Sequence, residues 1–142
     1  MNTMAKLMDS WYALLSGAVT INTVVINVYK EDVPETETNH YILLRAESET
    51  DRSNKRSFST DSVVIADIIT VFENNIDRSV VDSIDGQIQT LLLSSPFISN
   101  LSAQSGMQIL GVNAETTQYL TQEDDKKYYR KVSRYKNIIY QT

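Results

Sequence analysis

The chain has 142 residues, with 13 basic and 18 acidic residues and a formal net charge of −5 at pH 7. This length suffices for one domain with its own core, so we expect a single domain over residues 1–142. The absence of cysteine excludes disulfides and cysteine-ligated metals, and no apolar run approaches the roughly 20 residues needed to cross a bilayer. The first residues lack the pattern of a signal peptide, which predicts synthesis in the cytosol without membrane contact.

The first predicted elements are a helix and two strands. Residues 4–16 place apolar side chains on one stripe, and Gly17 follows as a stop signal, which predicts a covering helix with Trp11 in the core. Residues 23–29 are rich in β-branched side chains and predict a strand. Residues 40–49 predict a second strand that begins apolar and ends polar.

The chain is organised around a strand that leads into a helix. Residues 63–72 are almost continuously apolar and mostly β-branched, which predicts a central strand covered on both faces. Residues 73–75 form a turn, and Ser79 with Asp82 is a cap signal for a helix. Gly86 inside that helix predicts either close packing against a neighbour or a local weakness. The apolar face of the helix contains Val81, Ile84, Ile88, Leu91 and Leu92.

The last third of the chain predicts two further strands. Residues 107–112 are a strand candidate with a bulge at Gly111, and residues 113–120 form a looser stretch that extends or bulges this strand. An acidic turn at 122–125 leads to a long strand at 127–140. The order α-β-β-β-α-β-β predicts an α+β fold with a mainly antiparallel sheet of about five strands covered by two helices.

Three segments predict flexible loops, near residues 30–39, 50–60 and 113–126. The loop at 50–59 is rich in serine and basic residues, and cations of this kind gain affinity for phosphate through counterion release. Three bases flanked by acids do not form a nucleic-acid surface, and Phe58 alone is no stacking platform. The basic residues of this loop are Arg52, Lys55 and Arg56.

Charge is unevenly distributed along the chain. Residues 31–51 contain seven acids and one base, a balance of −6, whereas residues 126–136 contain six bases and no acid, a balance of +6. Three interpretations remain open: solvated faces, pairing within the chain, and complementary surfaces on successive copies of the subunit. The last interpretation makes Arg130 and Arg134 interface candidates, and their charge reversal is then expected to prevent assembly.

The sequence contains no recognisable catalytic or cofactor motif, so we predict a protein that is not an enzyme and binds no cofactor or metal. His40 is the single histidine and predicts a structural role. Asp67 lies in a mostly buried strand, where a carboxylate is costly unless it is paired. We expect Asp67 either to face solvent at a sheet edge or to pair with a base of the final strand.

Tyrosines and bases alternate in the final strand, in the sequence YYRKVSRYK at residues 128–136. One interpretation is an amphipathic strand that packs its tyrosines and exposes its bases to water. The other is an interface strand, because tyrosine and arginine are enriched in contacts between proteins. The second interpretation adds Tyr135 to the interface candidates.

Taken in order, these elements resemble the tail terminator and tail completion proteins of tailed bacteriophages and the related neck-ring proteins. The resemblance rests on the strand VVIADIITVF, which passes through a short turn into VVDSIDGQIQTLLL, and on the terminal segment DDKKYYRKVSRYKNIIY. The opening helix LMDSWYALLSG fits the same layout. Residues 113–120 depart from it, because they are hard to place in register.

This resemblance implies a subunit of a closed ring, a hexamer or a dodecamer, in the tail or neck of the virion. Such a ring contacts tail-tube and connector or portal-side neck proteins, and DNA passes through its lumen without specific binding. An alternative is a small binding module, monomeric or dimeric, that uses the loop at 50–59 to contact a ligand or nucleic acid. Candidate interface residues are Glu35, Glu37, Arg130, Arg134 and Tyr135, and candidate lumen or partner residues are Arg52, Lys55 and Arg56.

Overall fold

Two helices cover one face of a mainly antiparallel sheet in the computed structural model of the chain, which confirms the predicted α+β class. The structure describes residues 3–34, 37, 39–51, 58–73, 75–93, 108–123 and 126–141. The elements in chain order are α1 (Thr3–Leu15), β1 (Thr20–Ile21), β2 (Val24–Val25), β3 (Asn27–Lys30), β4 (Tyr41–Asp51), β5 (Phe58–Phe72), α2 (Arg78–Leu93), β6 (Gln108–Glu123) and β7 (Lys127–Gln141).

The main sheet has the strand order β3-β4-β5-β7-β6, so β5 is the central strand, as its apolar sequence predicts. All neighbouring pairs are antiparallel except β3 and β4, which run parallel. Strands β3, β4 and β7 therefore point one way, and β5 and β6 point the other way. The two outer strands of the sheet, β3 and β6, are antiparallel to each other.

Helix α1 packs its apolar stripe on the sheet, and Trp11 is fully buried at the centre of that contact. Its indole nitrogen donates to Oδ1 of Asn137 on β7 at 3.0 Å. The amide of Asn137 donates in turn to the backbone oxygen of Ser62 at 3.0 Å. This chain of bonds gives the indole of Trp11 and the amide of Asn137 buried partners and fixes α1 against β5 and β7.

The predicted strand at residues 23–29 is wrong in its first half. Thr20–Ile21 and Val24–Val25 form a separate small hairpin, and the main-sheet strand β3 begins only at Asn27. Asn22 and Thr23 form the turn with φ values of 50° and 68°, a two-residue geometry that suits the twist of a hairpin. Asparagine tolerates this conformation, but a β-branched threonine is strained there.

Helix α2 begins at Arg78, two residues earlier than a cap at Ser79 predicts. The capping side chain is Asp77, whose Oδ1 accepts from the Ser79 backbone nitrogen at 3.0 Å and from the Ser79 hydroxyl at 2.6 Å. These two bonds lower the pKa of Asp77. A Cβ atom added at Gly86 would meet nothing within 4 Å, so the alternative of close packing at this glycine is wrong.

Strands β6 and β7 form a long antiparallel hairpin, and the predicted loop over 113–126 is wrong for most of its length. The strand β6 continues from Gln108 to Glu123 because two register shifts absorb the irregular residues. One shift lies between Ile109 and Gly111, where the sequence predicts a bulge, and the other lies between Ala114 and Thr116.

The two faces of the main sheet are distinguished by alternation along β7. Residues 129, 131, 133, 135, 137 and 139 are buried and share a face with Val64, Ala66 and Ile68 of β5, against the helices. We call this side the covered face. The intervening residues of β7 are half-buried and lie on the opposite side, which we call the open face.

Candidate functional site

Within the described ranges, eight charged side chains of the open face form salt bridges across four neighbouring strands, in one cluster of three residues and one of five. Four are basic and four are acidic, so this ion network carries no net charge. Its members are Arg45 and Glu47 of β4, Asp61 and Asp67 of β5, Arg130, Arg134 and Lys136 of β7, and Glu115 of β6.

Asp67 is the buried centre of the three-residue cluster, which it forms with Arg45 and Arg130. Its side chain is 0% exposed, whereas those of its partners Arg45 and Arg130 are 37% and 32% exposed. Arg130 donates through Nε to Oδ1 at 3.3 Å and through Nη2 to Oδ2, and Arg45 donates to Oδ2 at 3.3 Å. The hydrogen bond to Asp67 raises the pKa of Arg130. The expected pairing of Asp67 with a base of the final strand is therefore confirmed.

The other members form a more exposed part of the network. Arg134 lies 2.5 Å from Glu47 and 3.9 Å from Glu115. Lys136 lies 3.8 Å from Asp61 and 4.0 Å from Glu115. The +6 segment therefore pairs largely within the chain, although Glu47 is the only acid among the described side chains of the −6 segment that takes part. Most of the acids that neutralise these bases come from β5 and β6, which simple charge counting did not indicate.

The structure changes the interface expected for the final strand. Arg134 is paired with Glu47 within the chain, and Arg130 shares the single carboxylate of Asp67 with Arg45. Tyr135 is 1% exposed and packs on Trp11 with ring centroids 5.5 Å apart. The predicted interface role of Tyr135 is wrong for this reason: alternation along β7 turns its ring into the core, and burial raises its pKa.

The remaining candidates from the sequence have different positions. Glu37 accepts hydrogen bonds from Asn27 at 3.0 Å and from the Tyr29 hydroxyl, and these bonds leave its pKa lowered despite the opposing effect of burial. Glu37 thus secures the connection between the parallel strands β3 and β4. The other candidates, Glu35, Arg52, Lys55 and Arg56, lie outside the described residues.

The outer edge of β6 is a feature that the sequence analysis missed. No described strand pairs with this edge. Between the second bulge and the end of the strand, residues 116–122 contain no charged side chain. Tyr119 and Leu120 are 47% and 43% exposed and, as successive residues of a strand, point to opposite faces. An exposed, uncharged edge of this kind is a template for pairing with another chain.

The covered face also contains a buried ion pair, which joins Asp85 of α2 to Lys131 of β7 at 2.6 Å. Gln89 donates to the same carboxylate at 2.9 Å. Burial opposes the charge of Lys131, but hydrogen bonds to Asp85 and Tyr119 outweigh it and leave the lysine pKa raised. Every charged group in this cluster has a partner, so the cluster anchors α2 to the sheet rather than presenting a reactive group.

His40 also has a structural position, as the sequence predicts. Its Nδ1 accepts a hydrogen bond from the backbone nitrogen of Val71 at 3.0 Å, and its ring lies 5.4 Å from that of Phe72. Burial lowers the pKa of His40, which favours the neutral ring that this acceptor role requires. The imidazole therefore holds the start of β4 against the end of β5.

Among the described residues, no group of three or more histidines or carboxylates is arranged to hold a metal ion. No helix in the same part of the chain is long and apolar enough to cross a membrane. No known protein family matches the sequence, and no curated protein matches it.

Proposed function

We propose that this chain is a non-enzymatic structural subunit of a closed ring at the tail end or head–tail junction of a tailed bacteriophage. The ring contacts tail-tube and connector-side proteins, and DNA passes through its lumen without specific binding. The sequence resemblance motivates this identification. One structural observation supports assembly in particular, namely the unpaired edge of β6.

The two outer strands of the sheet suit head-to-tail addition. Since β3 and β6 run in opposite directions, the β6 edge of one copy can align antiparallel to the β3 edge of the next, and the sheet then continues across the contact. Such a contact joins two different surfaces, which is the type of interface that generates rings when the rotation closes. Main-chain hydrogen bonds supply affinity in this mode, and side chains such as Leu120 supply packing.

This mode of assembly differs from the charge pairing that the sequence suggests. Because Arg134 is paired with Glu47 inside the subunit, a neighbour gains little by presenting a carboxylate to it. Charge reversal at Arg130 would also place a second carboxylate beside the buried Asp67, so loss of folding would obscure any effect on assembly. Assembly is better tested at the β6 edge, where an exposed residue can be replaced without disturbing Asp67.

The first experiment is the mass of the native particle, measured by light scattering and native mass spectrometry, alone and with purified tail-tube or connector protein. We expect a single closed species of six or twelve copies in at least one of these conditions. A strict monomer that responds to none of these proteins would refute the ring and favour the small binding module.

The second experiment places a charge in the β6 edge. Leu120→Lys is expected to convert the ring to monomers without changing the circular dichroism spectrum, because an edge lysine must lose its hydration when a second strand pairs there. Val24→Lys is the matched control, since Val24 is also an exposed aliphatic residue but lies in the small hairpin outside the main sheet. Equal effects of the two variants would contradict assembly through β6.

A further inference from the structure

A cleft on the open face has the composition of a small-molecule site. Its volume is about 380 Å³, and strands β4, β5, β6 and β7 all contribute to its lining. The floor contains the apolar side chains of Leu43 and Ile69 beside Asp67. The walls contain Tyr41, Gln122, Tyr128 and Arg130.

The walls offer hydrogen-bond donors that the fold does not use. In the described part of the chain, no hydrogen bond engages the hydroxyls of Tyr41 and Tyr128 or the side-chain amide of Gln122. By contrast, Arg130 is fixed in place by its two bonds to Asp67. A guanidinium that is held rigidly loses less conformational freedom when it binds a further group.

The charges around the cleft favour an anion with one negative charge. Arg45 and Arg130 supply two positive charges, and Asp67 supplies one negative charge, so the three groups have a net charge of +1. Both oxygens of Asp67 are occupied by arginine donors, which leaves the carboxylate little capacity to bind a ligand itself. A group with one negative charge would neutralise this cluster, whereas a doubly charged phosphate would leave an excess negative charge in the cleft.

We propose that this cleft binds a carboxylate attached to a small apolar body. The carboxylate accepts from Arg130 and from one or both tyrosine hydroxyls, and the apolar body lies on Leu43 and Ile69. The bound group is either a free carboxylic acid or the terminal carboxylate of a polypeptide, which share this chemistry. The site does not depend on ring formation, because one subunit supplies every group in it.

The test uses benzoate and its neutral analogue benzamide, titrated into the isotopically labelled full chain and followed by amide chemical shifts. We expect benzoate to bind at least about tenfold more tightly than benzamide, because charge-assisted hydrogen bonds are the stronger ones. N-acetylphenylalanine separates the two sources of the carboxylate: tighter binding than benzoate indicates a chain terminus, and weaker binding indicates a free acid.

Two glutamine variants on the same face of β6 provide matched perturbations. Gln122→Glu adds a negative charge to the wall of the cleft and is expected to weaken benzoate binding at least about tenfold. Gln118→Glu adds the same charge four residues away on the same face, outside the cleft, and is expected to change binding less than about twofold. Both glutamines are exposed, so both variants should fold.

Removal of a donor gives a second measurement without altering charge. Tyr128→Phe is expected to weaken benzoate binding about tenfold, and Tyr119→Phe, on the covered side of β6, is expected to leave it unchanged. Equal affinity for benzoate and benzamide would overturn the proposal. Equal responses of the Gln122 and Gln118 variants, or preference for inorganic phosphate over benzoate, would overturn it as well.

Discussion

The covered and open faces of the sheet use the same strands but are stabilised in different ways. On the covered face, apolar side chains of β5 and β7 pack on two helices, and the ion pair between Asp85 and Lys131 has little contact with water. On the open face, long basic side chains lie over the sheet and neutralise acids from three strands. In the described part of the chain, ion pairs therefore lie over one side of the sheet and helices lie over the other.

The largest expected effect is the loss of the main covered-face anchor. Trp11→Ala should lower the free energy of unfolding by about 3–5 kcal/mol, because it removes a fully buried ring and the hydrogen bond to Asn137. Denaturant unfolding measures the change. Tyr12→Ala, one position along on the exposed side of α1, is the control and should cost less than about 1 kcal/mol.

Each face has a buried aspartate in an ion pair, so the loss of stability on replacing each aspartate compares the two faces. Asp85→Asn leaves the ammonium of Lys131 buried without its carboxylate, at an expected cost of about 3 kcal/mol. Asp67→Asn should cost about 1–2 kcal/mol, because its arginine partners are about one-third exposed and water compensates part of their charge. Denaturant unfolding at low and high salt measures both. Equal costs would show that the open face is as dry as the covered one.

A pH effect is expected at the end of the sheet, where His40 joins β4 to β5. Because burial lowers its pKa, the folded chain binds fewer protons at His40 than the unfolded chain does, and stability should fall as pH drops below about 6.5. His40→Asn retains an acceptor for the Val71 backbone nitrogen without a titrating ring. The free energy of unfolding should therefore decrease less between pH 7 and pH 5 in this variant than in the unchanged chain. An equal decrease in both would mean that other groups cause the pH effect.

The smallest expected effect lies on the outer side of α2, away from both faces. Gly86→Ala should raise the free energy of unfolding by about 1 kcal/mol, because the helix gains backbone stability and the added methyl group meets no atom. Thermal unfolding measures the shift. A decrease in stability would mean that the outer surface of α2 is more restricted than the structure indicates.

Much of this fold was predictable from the sequence because the clearest apolar patterns in the sequence correspond to the side chains that pack in the core. The apolar run of β5 predicts the central strand, and the stripe around Trp11 predicts the covering helix. The small hairpin was missed because a β-branched Thr23 does not signal its turn, and because no turn residue in the sequence separates β2 from β3. Likewise, two bulges conceal the alternation of β6.

The sites were less predictable because they depend on which strands become neighbours. Asp67 indicated its need for a partner, but Arg45 and Arg130 are identified only by the order β4-β5-β7. Tyr135 was misassigned because the sequence YYRKVSRYK shows alternation without showing which set of residues faces the helices.

The position of β7 between β5 and β6 also has a consequence for the order of folding. Strands β6 and β7 are adjacent in sequence, whereas the partners Phe58 and Gln141 are separated by more than half of the chain. Since closing a long loop costs more entropy than closing a short one, we infer that the β6–β7 hairpin forms early and joins β5 in the slow step. During that interval both edges of the hairpin are open, so a newly synthesised chain is most prone to aggregation before β5 occupies one of them.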